Sequence, residues 1–432
     1  MDIKEKLENM KPFHMWLLFM LLYVSFSTEV LWRPFIFAED TLFLNNALTD
    51  GFKSLFYRHA EYWEMISRLS GNLAIFLGRG ANSYLVTAFV MKAIAIAIFS
   101  YYILYFAIAD FSWLVKERWK RLLISFFVLV WFGNFLNSYY NVTNIHWAGE
   151  YFLFLVGLNL VFNNKFPGIF CTVICLLTCM NSPEACLVLI PFAIYILNRI
   201  RERKIKLWWM LVYILVFFAT VLQFYVVKKS GNGANVTDVS HIFSALSKSF
   251  VALLSTASYV LGNEIRSYLN PGLRVISGCF IWFFIISLYI KIGKVKWSLI
   301  LLYVLVFIFL HYMPIYIKYS FVWPQDFWVH SCPASVLSFL FLCAIANLKR
   351  ITNNNVVKQT ILLFSLIVIV SQLSHAGKID GMGPAHYKTY DYEMLGMSQI
   401  EEANKIIDFN SRNYKTLRLY AGWDLLIPVK SE

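Results

Sequence analysis

The sequence predicts an all-α protein that crosses a membrane many times. Hydrophobic residues fill 59% of its 432 positions and charged residues only 15%, against about 45–50% and about 25% in soluble domains. The mean hydropathy is +0.60. The apolar residues also come in long runs, and about 17 to 25 apolar residues in a helix span a hydrocarbon core of about 30 Å. This composition excludes a soluble enzyme, a disordered chain and a nucleic-acid-binding domain.

Eleven spans follow along the chain: 13–35, 82–109, 122–137, 148–162, 167–181, 185–198, 207–227, 272–290, 298–316, 333–347 and 359–374. Those at 148–162, 167–181, 185–198 and 333–347 are short. Two of these four read equally as re-entrant or half-helices, so the expected number is nine to eleven. Lys4, Lys6 and Lys11 precede the first run, and no small-residue cleavage site follows it. That pattern reads as a signal anchor with a cytoplasmic N-terminus. Six of the seven cysteines lie inside apolar runs and Cys332 lies near a loop, so no disulfide framework follows.

Charge predicts sidedness. With the N-terminus inside and the spans alternating, the inner segments are 1–12, 110–121, 163–166, 199–206, 291–297 and 348–358. These hold 19 of the 38 Lys and Arg but 6 of the 25 Asp and Glu, and so carry the whole formal charge of +13. This is the positive-inside asymmetry. The basic excess therefore reflects topology and anionic lipid, with no nucleic-acid partner implied.

The same alternation puts every long loop outside: 36–81, 228–271, 317–332 and the tail 375–432. The chain divides into a transmembrane domain, 1–374, and a small outer cap, 375–432. Loop 36–81 mixes bulky apolar and charged residues at helical spacing, which predicts two amphipathic helices in the interface. Loop 228–271 opens on the turn-rich KKSGNGANVTD and continues with a helical run, 241–262. In the tail, SQIEEANKIIDF reads as helix and TLRLYAGWDLLIPV as one or two short strands. No internal repeat is present.

The candidate chemistry lies in these outer segments. Glu39 and Asp40 emerge where the first span ends, and carboxylates at a membrane surface point to function. Asp40 also suits the N-cap of a helix starting at Thr41. Neighbouring side chains diverge by about 100° on a helix, so one acts as base and the other orients a partner. The turn NSYYNVTNIHWAGE (137–150) gathers Asn144, His146 and Glu150 near one surface. Glu150 alternatively complements a helix N-terminus. Glu184, in Asn-Ser-Pro-Glu (181–184), suits ordinary capping. In YSFVWPQDFWVHSCP (319–333), Asp326 and His330 suit hydroxyl groups, and the aromatics suit either sugar stacking or an interfacial belt.

Lys92, Arg266 and Lys318 offer outer positive charge for a phosphate. Lys92 lies inside a span, where an unpaired cation costs about 2.5–3.5 kcal/mol, and snorkelling to the surface relieves that cost. Cys171, Cys175 and Cys179 recur every four residues without His or carboxylate neighbours, which fits small-residue helix packing and not a metal site.

A Glu/Asp pair just outside the first span (FAEDTLF, 37–43) and an outer turn N-x-T-N-x-H-W (141–147) carry a resemblance. Together with an outer loop of two interfacial helices, they resemble the GT-C class of integral-membrane glycosyltransferases. The chain is most similar to the phage-type, serotype-converting O-antigen glucosyltransferases of enteric bacteria. The resemblance implies an inner-membrane enzyme with its site facing the periplasm. It implies an undecaprenyl-phosphate-linked sugar donor, glucose in that family, and a lipid-linked O-antigen acceptor. Asp40 or Glu39 would take the acceptor proton, and the lipid phosphate would leave with inversion. The sequence requires no divalent metal, although some members of the class use one. Two other outer-face readings compete. An O-antigen polymerase should show large basic mid-chain loops, and 228–271 is only mildly basic. A lipid-linked saccharide flippase should show paired broken helices.

Overall fold

The computed structural model describes residues 3–25, 40–58, 63–135, 142, 145–181, 186–229, 239–261, 265–266, 268–292, 295–318, 330–373, 389–418 and 424–430. It is 83% helical. The N-terminal part runs α1 (Ile3–Asn9), α2 (Pro12–Ser25), α3 (Asp40–Asp50), a 3-10 turn (Gly51–Phe56), α4 (Met65–Ala81) and α5 (Tyr84–Ile108). Next come α6 (Arg118–Phe135), α7 (Ile145–Asn163), α8 (Ile169–Cys179), α9 (Cys186–Arg201) and α10 (Leu207–Lys229). Then follow α11 (Val239–Thr256) with a 3-10 extension (Ala257–Leu261), α12 (Pro271–Ile292), α13 (Val295–Lys318), α14 (Ser331–Ala346), α15 (Leu348–Ile351) and α16 (Asn355–Leu373). The cap adds α17 (Thr389–Ile406), β1 (Asn413–Arg418) and β2 (Asp424–Val429).

Among the described residues seven helices are long and apolar enough to cross a membrane: α5, α7, α10, α11 with its extension, α12, α13 and α16. α2, α8 and α14 are shorter apolar helices. The chain is thus a multi-pass helical membrane protein. α7 is the innermost, with most of its length buried, whereas α10 and α16 bury about a fifth of theirs. Leu207, Phe218, Tyr225, Leu363 and Leu366 stand exposed on those two helices. An apolar surface on this scale suits lipid and not water.

One expectation needs correction. Residues 242–261, which the sequence reading places in an outer loop as a helical run, form a helix of span length. Ser244, Ser247, Lys248 and Ser249 make this helix the least apolar of the seven. Packing holds it: Trp282 Nε1 donates to Leu253 O at 2.9 Å. Gly278 lets the α11 backbone approach so closely that a Cβ there would lie 2.0 Å from Leu254 O. α6 opens on Arg118, Lys120 and Arg121 and so stands outside the seven, while its residues 122–135 keep the apolar run expected as a span.

The expected inner segments all meet at one end of the bundle. Arg118 donates to Met10 O at 2.7 Å, and Trp119 N donates to Glu8 Oε1 at 3.1 Å. Asn163 Nδ2 donates to Asp110 O, Lys165 pairs with the Asp110 carboxylate, and Asn164 Nδ2 donates to Glu202 Oε1. Asn347 Nδ2 donates to Leu114 O at 3.0 Å, and Lys296 lies 4.1 Å above the Trp113 ring. α5 leads away from this end for 25 residues, about 37 Å at the α-helical rise. At its far end sit α3, α4 and the cap.

The tail forms the expected helix and strands. β1 and β2 pair antiparallel, Asn413 opposite Val429 through Arg418 opposite Asp424. Leu425 and Ile427 point inward and are buried. Asn404 Oδ1 accepts from Ser83 Oγ and Tyr84 N, and Asn82 Oδ1 accepts from Phe409 N. The α4–α5 corner is thereby bolted to the cap.

Candidate functional site

Both helices expected in loop 36–81 form. α3 buries Thr41, Phe43, Leu44, Ala47 and Leu48, a helical stripe turned toward α4. Gly71 of α4 permits the contact, since a Cβ there would lie 2.9 Å from Phe43 O. The opposite face of α4 exposes Leu69, Leu73 and Phe76. That distribution fits a helix lying in a membrane interface.

Asp40 is the first residue of α3 and is only 1% exposed. Burial of the α3 stripe on α4 encloses the carboxylate within the protein. Glu39 lies outside the described residues.

Sequence reasoning missed Arg68. Its guanidinium is 1% exposed, 5.4 Å from the Phe43 ring and 6.0 Å from the Tyr57 ring. Among the described residues none of its three nitrogens has a hydrogen-bond partner. Burial pulls its pKa down to about 10, against the opposing pull of Glu64 and Tyr57. It is therefore still a cation at neutral pH. A buried cation with unsatisfied donors is costly, and a bound anion would complete its shell. The signal was present in the sequence: Ser67, Arg68, Gly71, Asn72 and Gly78 recur at helical spacing as one polar and small-residue stripe of α4.

An apolar groove runs along the face of α4 opposite Arg68. Leu69 and Leu73 of α4, Ile94 and Ile98 of α5, and Ile174 and Leu177 of α8 line it.

A second charged centre adjoins the first. Ser67 Oγ donates to Val142 O at 3.1 Å, and Ile145 N donates to the same carbonyl as α7 begins. Glu150 Oε2 lies 2.8 Å from His311 Nδ1 of α13, and both side chains are fully enclosed. The two groups are close enough for an ion pair when His311 is protonated, without the alignment of a directed hydrogen bond. The Trp147 ring packs on His311 at 6.2 Å and on His146 at 4.4 Å. Glu150 therefore faces a partner across the bundle; it does not merely complement a helix terminus. His311 escaped the sequence reading, although an ionisable residue within an apolar span is itself a signal.

His330 belongs to a third group. Tyr312 Oη lies 2.6 Å from both His330 Nδ1 and Thr256 Oγ1, and Thr256 Oγ1 donates to Ala252 O at 2.6 Å. Counting protons fixes the direction. Thr256 spends its single proton on Ala252, so Tyr312 must donate to Thr256, and His330 must donate from Nδ1. In the neutral ring Nε2 then carries the lone pair. Arg266 stacks 3.5 Å above the Tyr259 ring and donates from Nε to Ser258 Oγ. Burial pulls its pKa down to about 10. The His330 ring lies 5.4 Å from the same Tyr259 ring.

Lys92 is 1% exposed, so it does not snorkel to the surface; it is packed within the bundle, about two turns into α5. Asn144, Glu184, Asp326 and the side chain of Lys318 lie outside the described residues. Among the described residues no three His, Cys, Asp or Glu side chains converge as metal ligands. Compared with family models, curated proteins and solved structures, the chain matches none of them.

Proposed function

We propose that this multi-pass membrane protein transfers a sugar, glucose by resemblance, from undecaprenyl phosphate to a hydroxyl of a lipid-linked O-antigen acceptor. The site would face the periplasm from the bacterial inner membrane. One observation supports the reading most: a buried carboxylate, Asp40, and a buried guanidinium without hydrogen bonds among the described residues, Arg68, sit on two helices packed face to face. The phosphate of a carrier lipid would satisfy those open guanidinium donors.

In the reaction Asp40 accepts the proton of the acceptor hydroxyl. The oxygen attacks the anomeric carbon, and the bond from that carbon to the phosphate oxygen breaks with inversion. The departing phosphate keeps the electron pair, and Arg68 stabilises its charge. A carboxylate acts this way when it lies about 2.6–3.2 Å from the hydroxyl. Because both charges are closed off from solvent, substrates reach them only when a covering element moves.

Membranes holding the protein, a labelled polyprenyl-phosphate sugar and the lipid-linked polysaccharide test the reading. Label should enter the polysaccharide with the native chain and fail to do so with Asp40→Asn and with Arg68→Gln. No transfer by the native chain, or undiminished transfer by both variants, would overturn it.

A further inference from the structure

The cap reaches the candidate site through one side chain. Asn45 of α3 donates from Nδ2 to Asp424 O at 2.7 Å and accepts at Oδ1 from Leu426 N at 2.8 Å. In a strand, the carbonyl of one residue and the amide two residues on point to the same edge. β1 occupies the other edge of β2. The Asn45 amide thus takes the place a third strand would fill. Pro428 lies on the same edge, where its carbonyl accepts from Asp408 N at 2.8 Å and a missing N–H is tolerated. Leu426 is held twice there, because its carbonyl also accepts from the Tyr84 hydroxyl at 2.5 Å. Tyr84 is the first residue of α5. A single cap residue therefore joins α3 to the start of a membrane-spanning helix.

Asn45 stands five residues beyond Asp40 on α3, about 7.5 Å along the helix axis. α3 is short, and it also rests on α4 through its apolar stripe. We propose that Asn45 is a positioning residue: by reading that edge of β2 it fixes the rotation and height of α3, and so the place of the Asp40 carboxylate. The cap becomes a working part of the site. This inference rests on the reading of Asp40 as the group that acts on substrate.

The test uses the full chain in membranes. Asn45→Ala removes both bonds. Leu426→Pro removes the N–H aimed at Asn45 and trims a partly buried side chain, and leaves the bond from Asn45 Nδ2 to Asp424 O. Asp424→Ala leaves the carbonyl that Asn45 reads, and serves as control. Asn45→Ala and Leu426→Pro should lower kcat by about 10- to 100-fold, the cost of misplacing a reacting group by about 1 Å. KM for donor and acceptor should stay within about twofold of native, since the binding groups are untouched. Asp424→Ala should keep the native kcat. Hydrogen exchange of the α3 amides should quicken in the first two variants and not in the control, whatever the activity. Native kcat in Asn45→Ala overturns the proposal, as does failure of both variants to insert, which would make Asn45 a folding residue. If Asp40→Asn retains full activity while α3 still loosens in Asn45→Ala, the reading of Asp40 falls and the tie to the cap survives as structure alone.

Discussion

Ser67 donates its hydroxyl to the carbonyl of Val142 at 3.1 Å, and this bond joins the two charged centres. Ser67 neighbours Arg68 on α4, and Val142 immediately precedes the helix that carries Glu150. Two regions 75 residues apart in sequence are held as one polar layer at the end of the bundle away from the basic segments. A layer of buried charge at one level of an otherwise apolar bundle is costly, and selection rarely keeps it without a use.

Asp40 and Arg68 should differ in what they do to the kinetics. Asp40→Asn keeps the shape and removes the proton acceptor, so kcat should fall by about 100- to 10,000-fold. Arg68→Lys keeps the charge but loses the planar fork that reads a phosphate on two oxygens. It should retain measurable transfer where Arg68→Gln has almost none. Steady-state rates with varied donor separate the two effects.

Gly71 is where α3 and α4 touch. In Gly71→Ala the new methyl must displace Phe43 O from 2.9 Å. The expected cost is about 1–3 kcal/mol, as for overpacking elsewhere, with loss of transfer because Asp40 moves with α3. Thermal unfolding in detergent measures the first effect and the sugar-transfer assay the second. Unchanged values in both would mean that α3 does not rest on α4 as described.

Glu150 and His311 should behave as a unit. Removing one partner strands the other inside the bundle, at about 3–5 kcal/mol, whereas replacing both by apolar side chains costs far less. Glu150→Leu should therefore destabilise more than Glu150→Leu with His311→Leu. Additive losses in unfolding experiments would show that the 2.8 Å contact contributes nothing.

His330 should be neutral and protonated at Nδ1. Nitrogen-15 spectra of ring-labelled protein, assigned with His330→Gln, distinguish this tautomer from the other. Tyr312→Phe removes the acceptor of the Nδ1 proton and should shift the tautomer balance. A native ring protonated at Nε2 would reverse the direction of the whole hydrogen-bond chain.

At the basic end, the Lys165 ammonium, helped by the Ser112 hydroxyl and N–H, holds Asp110 down to about 2. A carboxyl whose folded pKa is depressed stabilises the fold above its ordinary pKa and loses that contribution as pH falls through the folded value. The difference in unfolding temperature between the native chain and Asp110→Asn should therefore be constant from pH 5 to pH 8. It should shrink below about pH 4 and vanish near about pH 2. A difference that persists at pH 2 would assign the effect to packing.

The architecture was largely legible in the sequence because bilayer thickness imposes a length and the basic residues mark an end. The two helices of loop 36–81 and the two strands of the tail were legible from local periodicity. The helical run of α11 was legible too, but its span length was not, because serines and a lysine dilute its apolar character. The candidate site was half legible. Asp40, Glu150, His330 and Arg266 announce themselves as polar residues beside apolar runs. Their partners Arg68, His311, Tyr312 and Thr256 come from elsewhere in the chain, and single-sequence periodicity says nothing about which distant residues meet. The burial of Lys92 was likewise unreadable, since a lysine inside a span fits both a packed and a snorkelling side chain.

The double hold on Leu426 has a consequence for biosynthesis. Ribosomes deliver residues 424–429 after every helix of the bundle, so a nascent chain has no edge for Asn45 or Tyr84 to grip. α3 is synthesised early and waits for its clasp until residues 424–429 have been added. Competence for chemistry would then arrive in one late step, after membrane insertion of the whole bundle, and a half-made molecule would carry its acid unset.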